Sequence, residues 1–456
     1  MAGAISLGEG VRRNTNSPCS AMEWIPYQGM ESPVTVGHIV TGLSLTGQHW
    51  STHGDRTPGK ADKTTGLTPI PWDHGFNSHQ HGRPTKEGLS KPVRGRIIPA
   101  GNVTGVTRNE RFADVSTALA LLSDRQLADL VEAATPVSSS GAGGRAGVLT
   151  VAGTTVFVKK APLTELERRP ENLRSTANLW GLPPWTQYGV GTPAFGVWRE
   201  VAAHVMTTNW VLSGECPNFP LLYHWRVVDS PPPVWEDLLD VDKYLEYMHH
   251  APGVRERVEA LVDARAGVVM FMEHFPHTLH PWFEERLRAG EFERTVPMVE
   301  RDLRSVFEFL ERKELFHFDA HFGNILTDGS RLYVADFGLA NSPRFDLSPE
   351  EREFLVANAG HDRSHVLAHM LTTLVRALGN VDTSRPRSRM DFIRDFTDET
   401  DFPPAAAEVL RRYRPVAVPF NEFYAALFVE SRQTPYPRAA LTSALARLDE
   451  QPSSIG

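Results

Sequence analysis

Only two cysteines, Cys19 and Cys216, occur in 456 residues, too few for a disulfide framework or a cysteine-built zinc cage. A reducing, cytoplasmic setting is the expectation. No apolar run approaches the roughly 18 residues a membrane helix needs, so a membrane partner is not expected. The opening MAGAISLGEGVRR places its arginines after the apolar stretch and has no hydrophobic core segment, which argues against a signal peptide. Basic charge is not in excess either. Lys and Arg number 47 against 55 Asp and Glu, a net charge of −8, so nucleic acid is not the expected partner. With 41% hydrophobic residues, the chain has ample material for a core.

Charge and texture are uneven along the chain. Residues 1–107 hold ten Lys/Arg against seven Asp/Glu, a net +3 that leaves −11 for the rest. This stretch is dense in Gly, Pro, Ser, Thr and His and has no helical or strand period, so it reads as a disordered extension. His74, His79 and His81 within it fit no standard metal-site spacing and read as solvated histidines. The extension is expected to be a regulatory or targeting tail, or sequence upstream of the working start. After Met30 the next methionine is Met206, so a later start would need a different codon. A protease-resistant core is expected to begin between about residues 100 and 112.

Patterned sequence follows. Val115, Leu119, Leu122, Leu127 and Leu130 have the spacing of an amphipathic helix pair. A glycine-rich run then feeds two strand candidates, Val148 to Val151 and Thr154 to Lys160, joined at Ala152-Gly153. Thr192 and Pro193 resemble a helix N-cap and first position. Phe219 to Val228 and Gly267 to Phe275 read as buried strands, separated by a helical insertion entered through a proline run. Val299, Leu303, Val306, Phe307 and Leu310 form one stripe of a core helix, and beyond residue 345 the patterned segments are all helical.

The most informative stretch is LFHFDAHFGNILTDGSRLYVADFGLA, residues 315–340. Asp319 and Asn324 flank a short loop, Ile325 to Thr327 forms a strand, Asp328-Gly329 turns the chain, and Leu332 to Ala335 returns it to Asp336-Phe337-Gly338. A hairpin of this kind gathers Asp319, Asn324 and Asp336. Two carboxylates and an amide suit Mg²⁺, a hard ion that keeps waters and substrate phosphates in its shell. His317, Asp319 and Asn324, followed by Asp336-Phe337-Gly338, resemble the H-x-D-x-x-x-x-N and D-F-G motifs of the protein-kinase-like superfamily.

That resemblance implies an α+β, bilobal kinase-like fold: a small antiparallel β-sheet lobe with its helical lead-in over 108–275 and a mainly helical lobe over 276–450. It also implies an ATP site. Gly141 and Gly143 stand in the phosphate-covering loop, with Ala146 where a third glycine is usual and Val148 beyond it. The phosphate-clamping lysine is Lys159 or Lys160, which strand alternation puts on opposite faces. Lys159 is preferred because it sets Phe157 against the adenine, as aminoglycoside kinases often set an aromatic. Glu200 is the expected partner of that lysine, with Glu171 the alternative. Met272 would border the adenine, and backbone groups of Glu273 and Phe275 would bond its edge.

Phe318 and His321 stand where protein kinases carry arginine and lysine, and no A-P-E follows the D-F-G. His321 resembles small-molecule kinases such as the aminoglycoside phosphotransferases. The implied activity is therefore transfer of the γ-phosphate of ATP to a hydroxyl acceptor, a small molecule in preference to a protein serine or threonine. A catalytically dead scaffold is the remaining alternative. Asp319 would orient the acceptor hydroxyl and take its proton. Asn324 and Asp336 would hold Mg²⁺, His317 would pack beneath the D-F-G turn, and His321 would either neutralise phosphoryl charge or make a structural hydrogen bond.

Overall fold

The computed structural model describes residues 106–137, 145–189, 191–232, 238–379, 381 and 386–450. The N-terminal extension up to residue 105, with Cys19 and its three spaced histidines, lies outside the described residues, as do Gly141 and Gly143. All described residues belong to one unit, which mixes α and β structure.

Thr107 opens the first helix by a reciprocal capping box with Glu110, and Ser123 opens the second in the same way with Gln126. The helices are α1 (Arg108–Ala120) and α2 (Asp124–Glu132), and they bury Val115, Leu119, Leu127 and Val131. Three strands follow: β1 (Thr135–Val137), β2 (Arg145–Val151) and β3 (Thr154–Leu163). Ala152 and Gly153 both adopt positive φ, 48° and 77°, which is the backbone a two-residue hairpin demands and which glycine takes without penalty. With β4 (Leu222–Val228) and β5 (Ala266–Glu273), the strands form an antiparallel sheet of order β1-β2-β3-β5-β4.

Helix α4 (Val197–Leu212) begins four residues later than the Pro193 start that the sequence suggests. Gly196 is its N-cap, and the carboxylate of Glu167 accepts the Val197 N–H at 3.0 Å. Val197, Trp198 and Val201 of α4 pack with Phe157, Met270 and Met272 on one sheet face. On the other face Val156, Val158 and Phe271 join Val115 and Leu119 of α1. Adjacent positions along β3 thus serve two different cores, and positions two apart share one.

The expected helical insertion is α5 (Val241–Tyr247) and α6 (Val254–Val262), with a core of its own that includes Leu182 and Phe195. A three-stranded antiparallel sheet, β6 (His277–Thr278), β7 (Ile325–Thr327) and β8 (Leu332–Val334), carries the 315–340 loops. Helices α7 (Leu279–Arg288) and α8 (Phe292–Arg312) pack against it, and α9 (Pro349–Ala357), α10 (His361–Leu378), α11 (Pro386–Asp395), α12 (Pro404–Val429) and α13 (Arg438–Glu450) complete the described chain. Among the described residues no helix is long and apolar enough to cross a membrane.

Arg108 carries more than a helix start. Its guanidinium meets the Glu273 carboxylate at 3.1 and 2.5 Å and donates to the carbonyls of Pro217 at 2.8 Å and Phe219 at 2.7 Å. A chain starting at Gly105 keeps both the Thr107 cap and the Arg108 contacts. One starting at Asn109 loses both the N-cap and the Arg108 contacts, and should lose about 2 kcal/mol or more. Thermal unfolding of the two chains distinguishes them, and equal midpoints would refute a structural role for Arg108.

Candidate active site

Strand β3 directs Lys159 into the interior, in register with Ala146 of β2 and Met270 of β5. Its ammonium donates to Glu200 Oε1 at 2.7 Å and to Asp336 Oδ1 at 2.9 Å. Glu200 lies in the first turn of α4. Glu171, the alternative acid, is exposed in a short 3-10 turn. Lys160, the other candidate, is buried as well. It points to the α2 side of the sheet, where it donates to Ser230 Oγ at 2.6 Å and faces Glu132 at 3.8 Å. Burial opposes the charge on Lys159, but the carboxylates of Asp336 and Glu200 outweigh it and hold the ammonium above the ordinary lysine range. Asp336 is likewise held below the usual carboxylate range: burial works against its charge and Lys159 overcomes it. Glu200 is pushed up, chiefly by burial.

The catalytic-loop candidates converge from β7 and β8. Asn324 Nδ2 donates to the Asp319 carbonyl at 2.9 Å and to Asp319 Oδ2 at 3.0 Å. The Ala335 N–H donates to the Asn324 carbonyl at 2.9 Å, which ties the Asn324 loop to the approach of Asp336. Burial, together with the nearby Asp336 charge, drives the Asp319 carboxyl well above the usual range. Phe318 and Asp336 both take a φ of 58°, a left-handed conformation that costs a non-glycine residue about 1–2 kcal/mol. Asp362 of α10 holds the first of these in place, accepting the N–H of His317 at 2.6 Å and of Phe318 at 2.9 Å. No local pattern marks Asp362 in the sequence, since it sits in an ordinary first helical turn.

His317 packs against Phe337, ring centroids 5.0 Å apart, and its Nε2 meets the Ala335 carbonyl at 2.8 Å. His321 accepts the Gly323 N–H on Nδ1 at 3.0 Å, with Nε2 3.8 Å from Asp319 Oδ2. Burial lowers its pKa to about 4, so it is a neutral ring here and not a cation able to offset phosphoryl charge. The structural hydrogen bond is the reading this geometry favours.

Two oxygens stand out. Asn324 Oδ1 and Asp336 Oδ2 are buried and accept no hydrogen bond, a costly condition for oxygen acceptors that a hard cation would relieve. Among the described residues no group of three or more His, Cys, Asp or Glu could hold a metal by itself. One carboxylate and one amide instead suit an ion that draws its remaining ligands from water and phosphate.

Phe157 lies in register with Met272 on the Lys159 face of the sheet. The Glu273 N–H is already donated to the Leu221 carbonyl at 2.8 Å, and its side chain is taken by Arg108. Of the backbone groups expected at an adenine edge, only the Glu273 carbonyl and those of Phe275 therefore remain. The Phe275 ring stacks on Tyr333 at 3.8 Å. The chain matches no protein-family model, and no curated protein matches it.

Proposed function

We propose that the protein is an ATP-dependent phosphotransferase of protein-kinase-like architecture. The five-stranded sheet with α4 would serve as the small lobe and helices α7 to α13 as the large one. One observation carries the reading: a buried lysine bridges carboxylates from two distant segments, beside two unsatisfied oxygens and a third carboxylate. Phosphoryl transfer asks for this combination, because it depends on positioning and charge neutralisation and little on covalent chemistry.

In this reading Lys159, kept positive by Glu200 and Asp336, counters phosphate charge, and Glu200 keeps it extended toward the site. Asn324 and Asp336 would hold Mg²⁺, which when bound supplies charge neutralisation on the phosphates. Asp319, oriented by the Asn324 amide, receives the acceptor proton. Phe157 and Met272 offer an apolar surface to the base of the nucleotide.

A small hydroxyl-bearing acceptor is favoured by Phe318. Its side chain is fully buried and packs among Phe316, Phe354 and His361, so no cation stands there to receive a phosphorylated activation segment. An intact lysine, base candidate and metal-binding aspartate also weigh against a dead scaffold.

Calorimetric titration of Mg·ATP tests the site. Asp336→Asn tolerates the left-handed backbone and keeps the side-chain shape while removing the charge. It should weaken Mg²⁺-dependent ATP binding by about ten- to hundredfold. An unchanged dependence on Mg²⁺ would rule out the metal role of Asp336.

A further inference from the structure

Between β3 and α4 the chain makes an excursion, residues 164–196, that passes directly over Asp319. Its root is a buried carboxylate. Glu167, 1% exposed, accepts from the Thr164 hydroxyl at 2.6 Å and from Arg257 of α6 at 3.0 Å. Farther along, the Gly189 N–H donates to the Phe318 carbonyl at 3.2 Å. A Cβ placed on Gly189 would lie 2.8 Å from Asp319 Cγ, closer still to Oδ1, and 3.0 Å from the Phe318 carbonyl. Gly189 does not take a positive φ, so it is space and not backbone conformation that calls for glycine.

The crossing is fastened beside this contact. The Gln187 side-chain amide donates to the carbonyl of Leu339, just past the D-F-G turn. The Tyr188 hydroxyl donates to Asn358 Oδ1 at 2.7 Å, and its ring packs among Phe318, Phe354 and Phe423. Gln187 and Tyr188 are 1% and 3% exposed. Of the two Asp319 carboxylate oxygens, Oδ2 is engaged by Asn324 and Oδ1 faces the Gly189 backbone. Asp319 keeps only 13% of its side chain exposed, and on the Oδ1 side a hydroxyl meets Gly189.

We propose that residues 186–189 form an autoinhibitory strap over Asp319, and that Gly189 determines what reaches this carboxylate. The proposal rests on the phosphotransferase reading of the site. With the strap down, the protein binds nucleotide but transfers slowly. An acceptor gains the base only when the strap lifts, and an extended polypeptide has no open track across it. Water is the simplest acceptor. Its oxygen bonds to the γ-phosphorus as the bond from that phosphorus to the β,γ-bridging oxygen breaks. The proton passes to Asp319, and ADP leaves with the electron pair of the broken bond.

Three substitutions in the full-length chain loosen the strap by different means. Tyr188→Phe removes the bond to Asn358 and keeps the ring, Gln187→Ala removes the bond to Leu339, and Gly189→Ala pushes against Asp319. Tyr188→Phe and Gln187→Ala should each raise ADP release from Mg·ATP by about fivefold, the change that loss of one net hydrogen bond gives, and Gly189→Ala should raise it as well. The KM for ATP should stay within about twofold, because the nucleotide contacts lie elsewhere. Thermal unfolding identifies any variant that does not fold, and Tyr188→Phe, the most conservative, decides if the others fail. Unchanged or reduced turnover in folded variants overturns the strap. Calorimetry on the unsubstituted protein separates the two readings. Absence of Mg·ATP binding there overturns the phosphotransferase assignment and the strap with it, whereas binding without acceleration in the variants overturns the strap alone.

Discussion

Asp319→Asn should lower phosphoryl transfer by about 10²–10⁴-fold while Mg·ATP binding changes by no more than a few-fold, the range expected when a general base is lost. Asparagine keeps the shape of the side chain and an acceptor for the Asn324 amide, which now donates to Asp319 Oδ2 at 3.0 Å. It cannot take the acceptor's proton. Lys159 bonds to Glu200 and Asp336 and makes no bond to Asp319, so the groups assigned to phosphate and metal are left as they are. The comparison to make is single-turnover transfer against calorimetric affinity on the same preparation. Turnover near that of the unsubstituted protein would remove Asp319 from the chemistry.

Acid should destabilise the fold steeply below pH 6.5. His365 and His369 lie one turn apart on α10, and His280 faces them from α7 with its ring centroid 5.6 Å from that of His369. Burial pushes all three down, His280 to about 3 and the two α10 residues well below the ordinary value. Neighbouring cations and rings add to this: Arg376, Arg288 and Arg389 around His280, with His321, His361 and His317 about the α10 pair. Glu284, 3.8 Å from His280, opposes it, but is itself paired to Arg376 at 3.1 Å. Folded, these rings stay neutral while the unfolded chain binds protons near pH 6.5. Stability is therefore fully present above about pH 7 and is lost as pH falls through 6.5 toward the folded values. Each group contributes about 1.4 kcal/mol between pH 7.5 and 5.5, roughly 4 kcal/mol for the three, a large share of a typical stability of about 5–15 kcal/mol. Denaturant unfolding at the two pH values measures it. His365→Phe, filling the site without a titrating group, should flatten the dependence by about one third if it folds. An unchanged midpoint across this window in the unsubstituted protein would mean that the rings are charged or hydrated in the folded state.

Much of the local architecture was legible in the residues. The Ala152-Gly153 hairpin and the apolar stripe of α8 each depend on a turn geometry or on a period of 3.6. Such features are encoded within a dozen residues. So was the hairpin gathering Asn324 and Asp336, because only ten residues separate the end of one loop from the start of the other.

Where a pattern competed with tertiary packing, the pattern lost. Thr192-Pro193 has the signature of a helix start, yet α4 waits for Gly196 because the Glu167 carboxylate caps Val197 from 30 residues away. By alternation alone, Lys159 and Lys160 were equivalent candidates. The difference arises because one β3 face meets α4 and Asp336 while the other meets α2, and that is set by which helix covers which face. The pairing of Lys159 spans 41 residues to Glu200 and 177 to Asp336, distances over which no period persists.

Sequence by itself determined the chemistry available: two carboxylates, an amide and a lysine in an order that phosphoryl transfer can use. Tertiary structure decided their state. It made His321 a neutral ring, spent the Glu273 N–H on Leu221, and laid Gly189 against Asp319. The physical reason is common to all three. Residue identity and spacing dictate local turns and periodic faces, whereas charge state and access depend on the desolvation and contacts that distant segments impose when they pack.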